Sequence, residues 1–298
     1  MTPRLALALL LLPPRLLPAQ GDPGVALWRV AGQTLAVPAA LAQGTAATFW
    51  NPAQPEADRF GVGVEGVQGA SAIGATGILG AARARLGTVG TVGIVFGRMQ
   101  INDLVRTSFS PIPEPGAIAF HTQLVGATWA RDAGRATLGI TAARHTTSFA
   151  ERHEGRWTID AGAAVHLGSR VRVAGATHFF SHLDASDPDQ DVYLGVEALA
   201  WRGVPWDGAP ESAVYGRYGA AVAHGFTADQ QIGIGIALGR VATVDVLAAY
   251  EGGYAAGGWQ PIAAVGVRAG AFGVVVAANP GAAGLGPGFR VGLDAVFQ

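Results

Sequence analysis

The sequence predicts an all-β chain, a transmembrane antiparallel β-barrel of about fourteen strands with an N-terminal plug, or hatch, segment. Three observations lead there. Apolar residues alternate with small or polar ones over many short stretches, as in strands with two unlike faces. The connections between those stretches sort into tight turns and long loops. Charged residues make up only 14% of the chain, against about 25% in soluble domains, as expected of a surface solvated partly by lipid.

The chain divides into a signal peptide at 1–20, a plug segment at 21–58 and a barrel at 59–298. Arg4 gives a positive start, Leu5 to Leu12 an apolar run, and Leu-Pro-Ala-Gln at 17–20 a small-residue cleavage site. That is the layout of a secretory signal. The run is far shorter than the roughly 20 residues of a membrane-spanning helix, and Pro13 and Pro14 stop it. Residues 24–58 do not alternate; they are apolar, rich in small residues and irregular. Lipid cannot satisfy an irregular backbone, so this segment is expected inside the barrel or in the periplasm.

Alternation then marks strands at 59–67, 72–86, 88–101, 117–130, 135–148, 157–167 and 171–182. It continues at 191–201, 213–223, 231–240, 243–251, 259–269, 273–278 and 288–298. Ile232, Ile234, Ile236 and Leu238 share one face; Trp157, Ile159, Ala161, Ala163, Val165 and Leu167 share another. Tight turns follow even-numbered strands, as at Gly87-Thr88 and Gly270-Ala271. Long connections at 102–116, 149–156, 183–190, 252–258 and 279–287 follow odd-numbered ones. Short turns on one side and long loops on the other are the outer-membrane barrel layout, with both termini expected in the periplasm. Two connections break the rule: 68–71 is short on the long side, and 202–212 is long on the short side.

In the last strand Phe289, Val291, Leu293 and Phe297 share one face. This alternation with a late aromatic is the pattern that barrel-assembly machinery recognises. The expected surroundings are therefore outer-membrane lipid and that machinery.

Other functions are disfavoured. There is no cysteine, and all 20 basic residues are Arg, so disulfides and thiolate metal sites are excluded. A net charge of −1, with no basic patch interleaved with aromatics, gives no reason to expect nucleic acid. No phosphate-binding loop, cofactor signature or metal-ligand set emerges. His178 and His182 share a face but lie roughly 13 Å apart along an extended strand, too far to hold one metal unaided. Asp160, His166, Glu197, Arg217, Asp245 and Arg290 fall on presumed lumen faces, where opposite charges are expected to pair. They are scattered rather than convergent, and no enzyme is expected. The connection 102–116, with Leu104, Val105, Phe109 and Ile112, is apolar for an outer loop, which marks it as a docking surface for a hydrophobic ligand or as lipid contact.

Thr45-Ala46-Ala47-Thr48-Phe49-Trp50-Asn51-Pro52-Ala53 resembles the aromatic-aromatic-Asn-Pro-Ala hatch motif of FadL-type fatty acid and hydrocarbon transporters. The related PorV/PorQ-type outer-membrane proteins carry a similar motif. The resemblance implies a signal peptide, a hatch and a fourteen-stranded barrel, with Phe49, Trp50, Asn51 and Pro52 at the hatch or gate. It implies passive uptake of hydrophobic small molecules or, in the PorV/PorQ-type case, a non-enzymatic role in secretion or surface assembly. A narrow general porin is the third expectation. In purely local terms Asn51-Pro52 is a turn: Asn bonds nearby backbone and Pro fixes φ.

Overall fold

The structure, a computed structural model, describes residues 23–53, 59–105, 117–179, 190–223, 229–250, 258–281 and 284–297. The predicted signal peptide, Phe109, Ile112 and His182 lie outside the described residues.

Fourteen strands close into one antiparallel barrel. They are β1 Phe60–Gln68, β2 Ala75–Arg85, β3 Thr91–Val105, β4 Ala117–Ala133, β5 Ala136–Phe149, β6 Arg152–Leu167 and β7 Val171–Phe179. The ring continues with β8 Gln190–Gly203, β9 Ser212–Ala223, β10 Asp229–Leu238, β11 Ala242–Tyr250, β12 Trp259–Ala269, β13 Phe272–Asn279 and β14 Gly288–Phe297. Each strand pairs with its sequence neighbours, and β1 closes on β14 from Phe60↔Phe297 to Gln68↔Phe289. No strand edge remains open, which is what a spanning sheet requires.

Alternation sets which side chains meet lipid. On β14, Phe289, Val291, Leu293 and Phe297 point outward and are exposed, while Arg290 between them is buried. Ile232, Ile234 and Ile236 do the same on β10. At the rim of tight turns, Phe60, Phe272 and Phe297 form an aromatic cluster with centroids 6.2 and 6.3 Å apart. At the opposite rim Tyr250 and Trp259 pair at 5.6 Å. Two outward aromatic girdles around an apolar band are the wall of a membrane barrel.

Three expectations are corrected in detail. The supposed long loop 149–156 is a tight turn at Ala150-Glu151, because β6 begins at Arg152. Its charged start reads as loop, yet a hairpin rising beyond the apolar band needs no apolar face. Ala150 takes φ +53° to close it, a conformation uncommon outside glycine. Leu104 and Val105, placed in a loop, belong to β3 and pair with Ile118 and Ala117 beyond a β-bulge after Ile101. In the segment before the barrel, Pro23–Gly32 is a helix, α1, which lack of alternation alone does not reveal. Proline is tolerated in a first helical turn, where its missing N–H loses nothing. Val25, Trp28 and Ala31, spaced by three, are all buried.

Leu293 faces outward opposite Val64 and Val274, in the body of the sheet. Leu293→Arg places a guanidinium in the hydrocarbon and is expected to destabilise the barrel by about 2–4 kcal/mol. Denaturant unfolding of the protein in lipid vesicles measures this; an unchanged midpoint would contradict a lipid-facing position.

Candidate functional site: the segment inside the barrel

Residues 23–53 touch strands all round the closed ring, so they lie inside it. Three anchors hold them. In the first, Trp28 Nε1 donates to His145 Nε2 on β5 at 2.7 Å and approaches Thr122 Oγ1 on β4 at 3.2 Å. The indole lies over Gly97 of β3, where a Cβ would come within 2.8 Å of the ring. Beside it Arg29 pairs with Asp191 of β8 at 2.8 Å.

The second anchor holds the predicted hatch residues. Phe49 packs 5.0 Å from both Trp28 and Trp50, at ring centroids. The Trp50 carbonyl accepts from His178 Nε2 at 2.9 Å, and His178 Nδ1 lies 3.3 Å from Asp160. Asn51 is fully buried. Its Nδ2 donates to the Ala40 carbonyl at 2.8 Å, and its Oδ1 accepts from the Ala53 N–H at 2.9 Å. One amide thereby ties two short 3-10 turns, Ala39–Leu41 and Ala46–Phe49, to each other. The wall is notched to receive them. A Cβ at Gly162 would lie 2.1 Å from Asn51 Oδ1, and one at Gly139 would lie 2.3 Å from the Pro52 carbonyl carbon.

The third anchor joins the segment to β13 and β14. Arg290 Nε donates to Thr34 at 3.2 Å, and its other nitrogens reach Glu65 and the Ala31 carbonyl. Asn279 Nδ2 donates to the Gln33 carbonyl at 3.1 Å.

Between residues 35–47 and strands β9–β14 a cavity of about 320 Å³ remains. It extends to the tight turn at Gly239–Val241. Leu35, Val37, Ala264 and Ala277 give it apolar walls, and inward-facing Val275 stays 38% exposed. Most of its charges are paired: Arg217 bridges Glu197, at 2.7 Å, and Asp245, while Arg268 meets Asp294. Pairing offsets the large penalty of removing these ions from water.

The structure thus brings together Asp160 with His178, and Glu197 with Arg217 and Asp245. It sets Arg290 against the segment. His166 keeps its inward phase but is exposed at the end of β6, outside these pairs. Leu104 and Val105 end β3 instead of forming a docking loop. Among the described residues, no three His, Asp or Glu side chains group as a metal site. Trp28, Arg29, His145 and Asp191 escaped the sequence reading. The inward phase of His145 and Asp191 was available there; their partners, more than 90 residues away, were not.

No protein-family model matches the chain, and no curated protein matches its sequence. Solved structures do. The chain is similar to the toluene transporter TbuX of Ralstonia pickettii, with a TM-score of 0.53 and 12% identity over 94% of this chain and 100% of that one. It is also similar to the toluene transporter TodX of Pseudomonas putida, with a TM-score of 0.52 and 10% identity over 95% and 98% of the two chains. At such identities the likeness establishes a shared fold, that of bacterial outer-membrane barrels.

Gly162→Val is expected to push the Asn51 side chain from its notch and loosen the segment. Asn51→Ala leaves the Ala40 carbonyl and the Ala53 N–H without a partner, and is expected to cost about 2–4 kcal/mol. Equilibrium unfolding followed by tryptophan emission checks both, and wild-type behaviour in both variants would refute the lock.

Proposed function

We propose that the chain is a non-enzymatic outer-membrane barrel that admits hydrophobic small molecules passively, with residues 23–53 as its plug. In this reading the turns that follow even-numbered strands and both termini are periplasmic, and the barrel-assembly machinery recognises the outward row ending at Phe297. The observation that carries the proposal is the buried, irregular segment pinned across the lumen by Asn51 and the hatch aromatics. A lumen filled in this way offers no wide aqueous path, which disfavours a general porin. The likeness in fold to two toluene transporters supports the choice of cargo. The apolar and charge-paired cavity beside the segment lies on the periplasmic side in this orientation. No energy source is required, because release follows the concentration gradient once the segment shifts.

A filled lumen also favours a second reading, in which the barrel is a PorV/PorQ-like partner in secretion or surface assembly and its interior never opens. Cross-linking separates the two. A Cβ at Gly288 would lie 3.2 Å from Thr34 Cγ2, within disulfide reach, and the chain has no cysteine of its own. Thr34→Cys with Gly288→Cys is expected to fasten the segment to β14. Whole cells expressing this pair are expected to take up radiolabelled toluene only after reduction. Uptake that ignores the cross-link would overturn the moving plug. Uptake no greater than in cells lacking the protein would favour the partner reading.

A further inference from the structure

We propose that the outward face of β3–β6, at the rim of the β5–β6 hairpin, binds the phosphate groups of an outer-leaflet lipid. The proposal rests on the orientation given above but not on transport.

The outer wall here is layered. Antiparallel register aligns Phe96, Val125, Arg144 and Trp157 in one row across four strands. The next row toward the rim holds Arg98, Gln123, Thr146 and Gly155. Above it come Gln100, His121, Ser148 and His153. Alternation puts all three rows on the lipid side, since Thr122, His145 and Thr147, which lie between them, are buried against the interior. Below the rows the face is apolar, with exposed Ile94, Ile140 and Ile159. The change from apolar to polar therefore falls at Arg144, along one register row.

These are also among the longest strands of the barrel, 15, 17, 14 and 16 residues in β3, β4, β5 and β6. They rise beyond the hydrocarbon and carry the polar rows to headgroup depth. Trp157, 68% exposed, marks that depth, as aromatics at a membrane interface do.

The charge on this face has one sign. Its charged side chains are Arg98 and Arg144, and among the described side chains no carboxylate faces outward on strands β2–β6, Glu151 standing in the turn above them. Elsewhere in the wall each inward Arg of the cavity meets an acid. Outward, Arg98 meets, among the described residues, the neutral Gln100 at 3.2 Å. Gly155 makes room for Arg144: a Cβ there would lie 2.7 Å from Arg144 Nη2. The guanidinium therefore turns up toward the Arg98 row and away from the acyl chains. With strands about 4.8 Å apart and a two-residue step of about 6.8 Å, the two arginine Cα atoms are roughly 12 Å apart. Two planar, always-charged forks at that separation suit bidentate contact with phosphate oxygens. The apolar band directly beneath suits acyl chains, so the occupant is a phosphorylated lipid, not a soluble anion.

The test uses the full chain purified in detergent, with bisphosphorylated lipid A as probe and Trp157 emission and native mass spectrometry as readouts. Binding is expected to be saturable, and Arg98→Gln with Arg144→Gln to weaken it at least about ten-fold. Gly155→Val, which takes the seat of Arg144 without removing charge, is expected to weaken it in the same direction. Heat-modifiable gel mobility confirms that each variant is folded. Dephosphorylated lipid binding as tightly as the phosphorylated form would overturn the proposal, as would unchanged affinity in the folded double variant. Inorganic phosphate displacing the lipid at equal concentration would show a soluble-anion site and overturn the lipid assignment. Loss of toluene uptake bears only on the transport reading, since these arginines lie outside the lumen.

Discussion

Lipid offers no hydrogen-bond partner to a peptide group, and this constraint governs the whole molecule. It forces the sheet to close, as β1 does on β14. It also dictates where the irregular apolar stretch at 23–53 can go. Residues 23–53 contain a helix and two 3-10 turns whose ends need partners, and the lumen supplies them: His178 for the Trp50 carbonyl, Arg290 for the Ala31 carbonyl and Asn279 for the Gln33 carbonyl. The polar residues inside the wall are best understood as the backbone's substitute for water. Glycines complete the fit, since Gly97, Gly139, Gly162 and Gly195 open notches for Trp28, Pro52, Asn51 and Leu41.

The interior is unevenly filled. Toward β2–β8 the large side chains Trp28, Phe49 and Trp50 pack against Leu79, Met99 and Leu124 with hardly any exposed surface. Toward β9–β14 the contact is made by smaller residues around Ala36, and the cavity remains there. On that side the segment is held by polar contacts from Arg290 and Asn279 more than by packing. That side is also where Arg217, Arg268 and Arg290 are balanced by acids. In the proposed transport, a passage opened there would have apolar walls and largely paired charges, a lining suited to an uncharged guest.

All fourteen strands were legible in the sequence because period-two alternation is imposed by two solvents, lipid outside and the packed lumen within. The same alternation sets the outward phase of Phe289 to Phe297 and the inward phase of Asp160, Glu197, Arg217, Asp245 and Arg290. It failed where only one solvent acts. The start of β6, Arg152 to Arg156, stands above the hydrocarbon and carries Arg152, Glu154 and Arg156 on its inward phase with no apolar residue on the outward one, so it looked like loop. The bulge after Ile101 hid the last residues of β3. Helix α1 was missed because its apolar residues reach the interior from several directions, leaving no single polar face. Asn51-Pro52 was recognisable as a turn, but its tie to Ala40 and its seat at Gly162 depend on contacts eleven and more than one hundred residues distant. Periodicity gives a side chain's direction, while its partner is a property of the closed ring.

The central proposal is that residues 23–53 seal the lumen. Ion conductance of the intact protein in a planar lipid bilayer tests it most directly. The account predicts membranes that remain electrically silent after the protein has inserted, with insertion verified by recovery of folded protein. Long-lived conductance steps of porin size from the intact chain would contradict it.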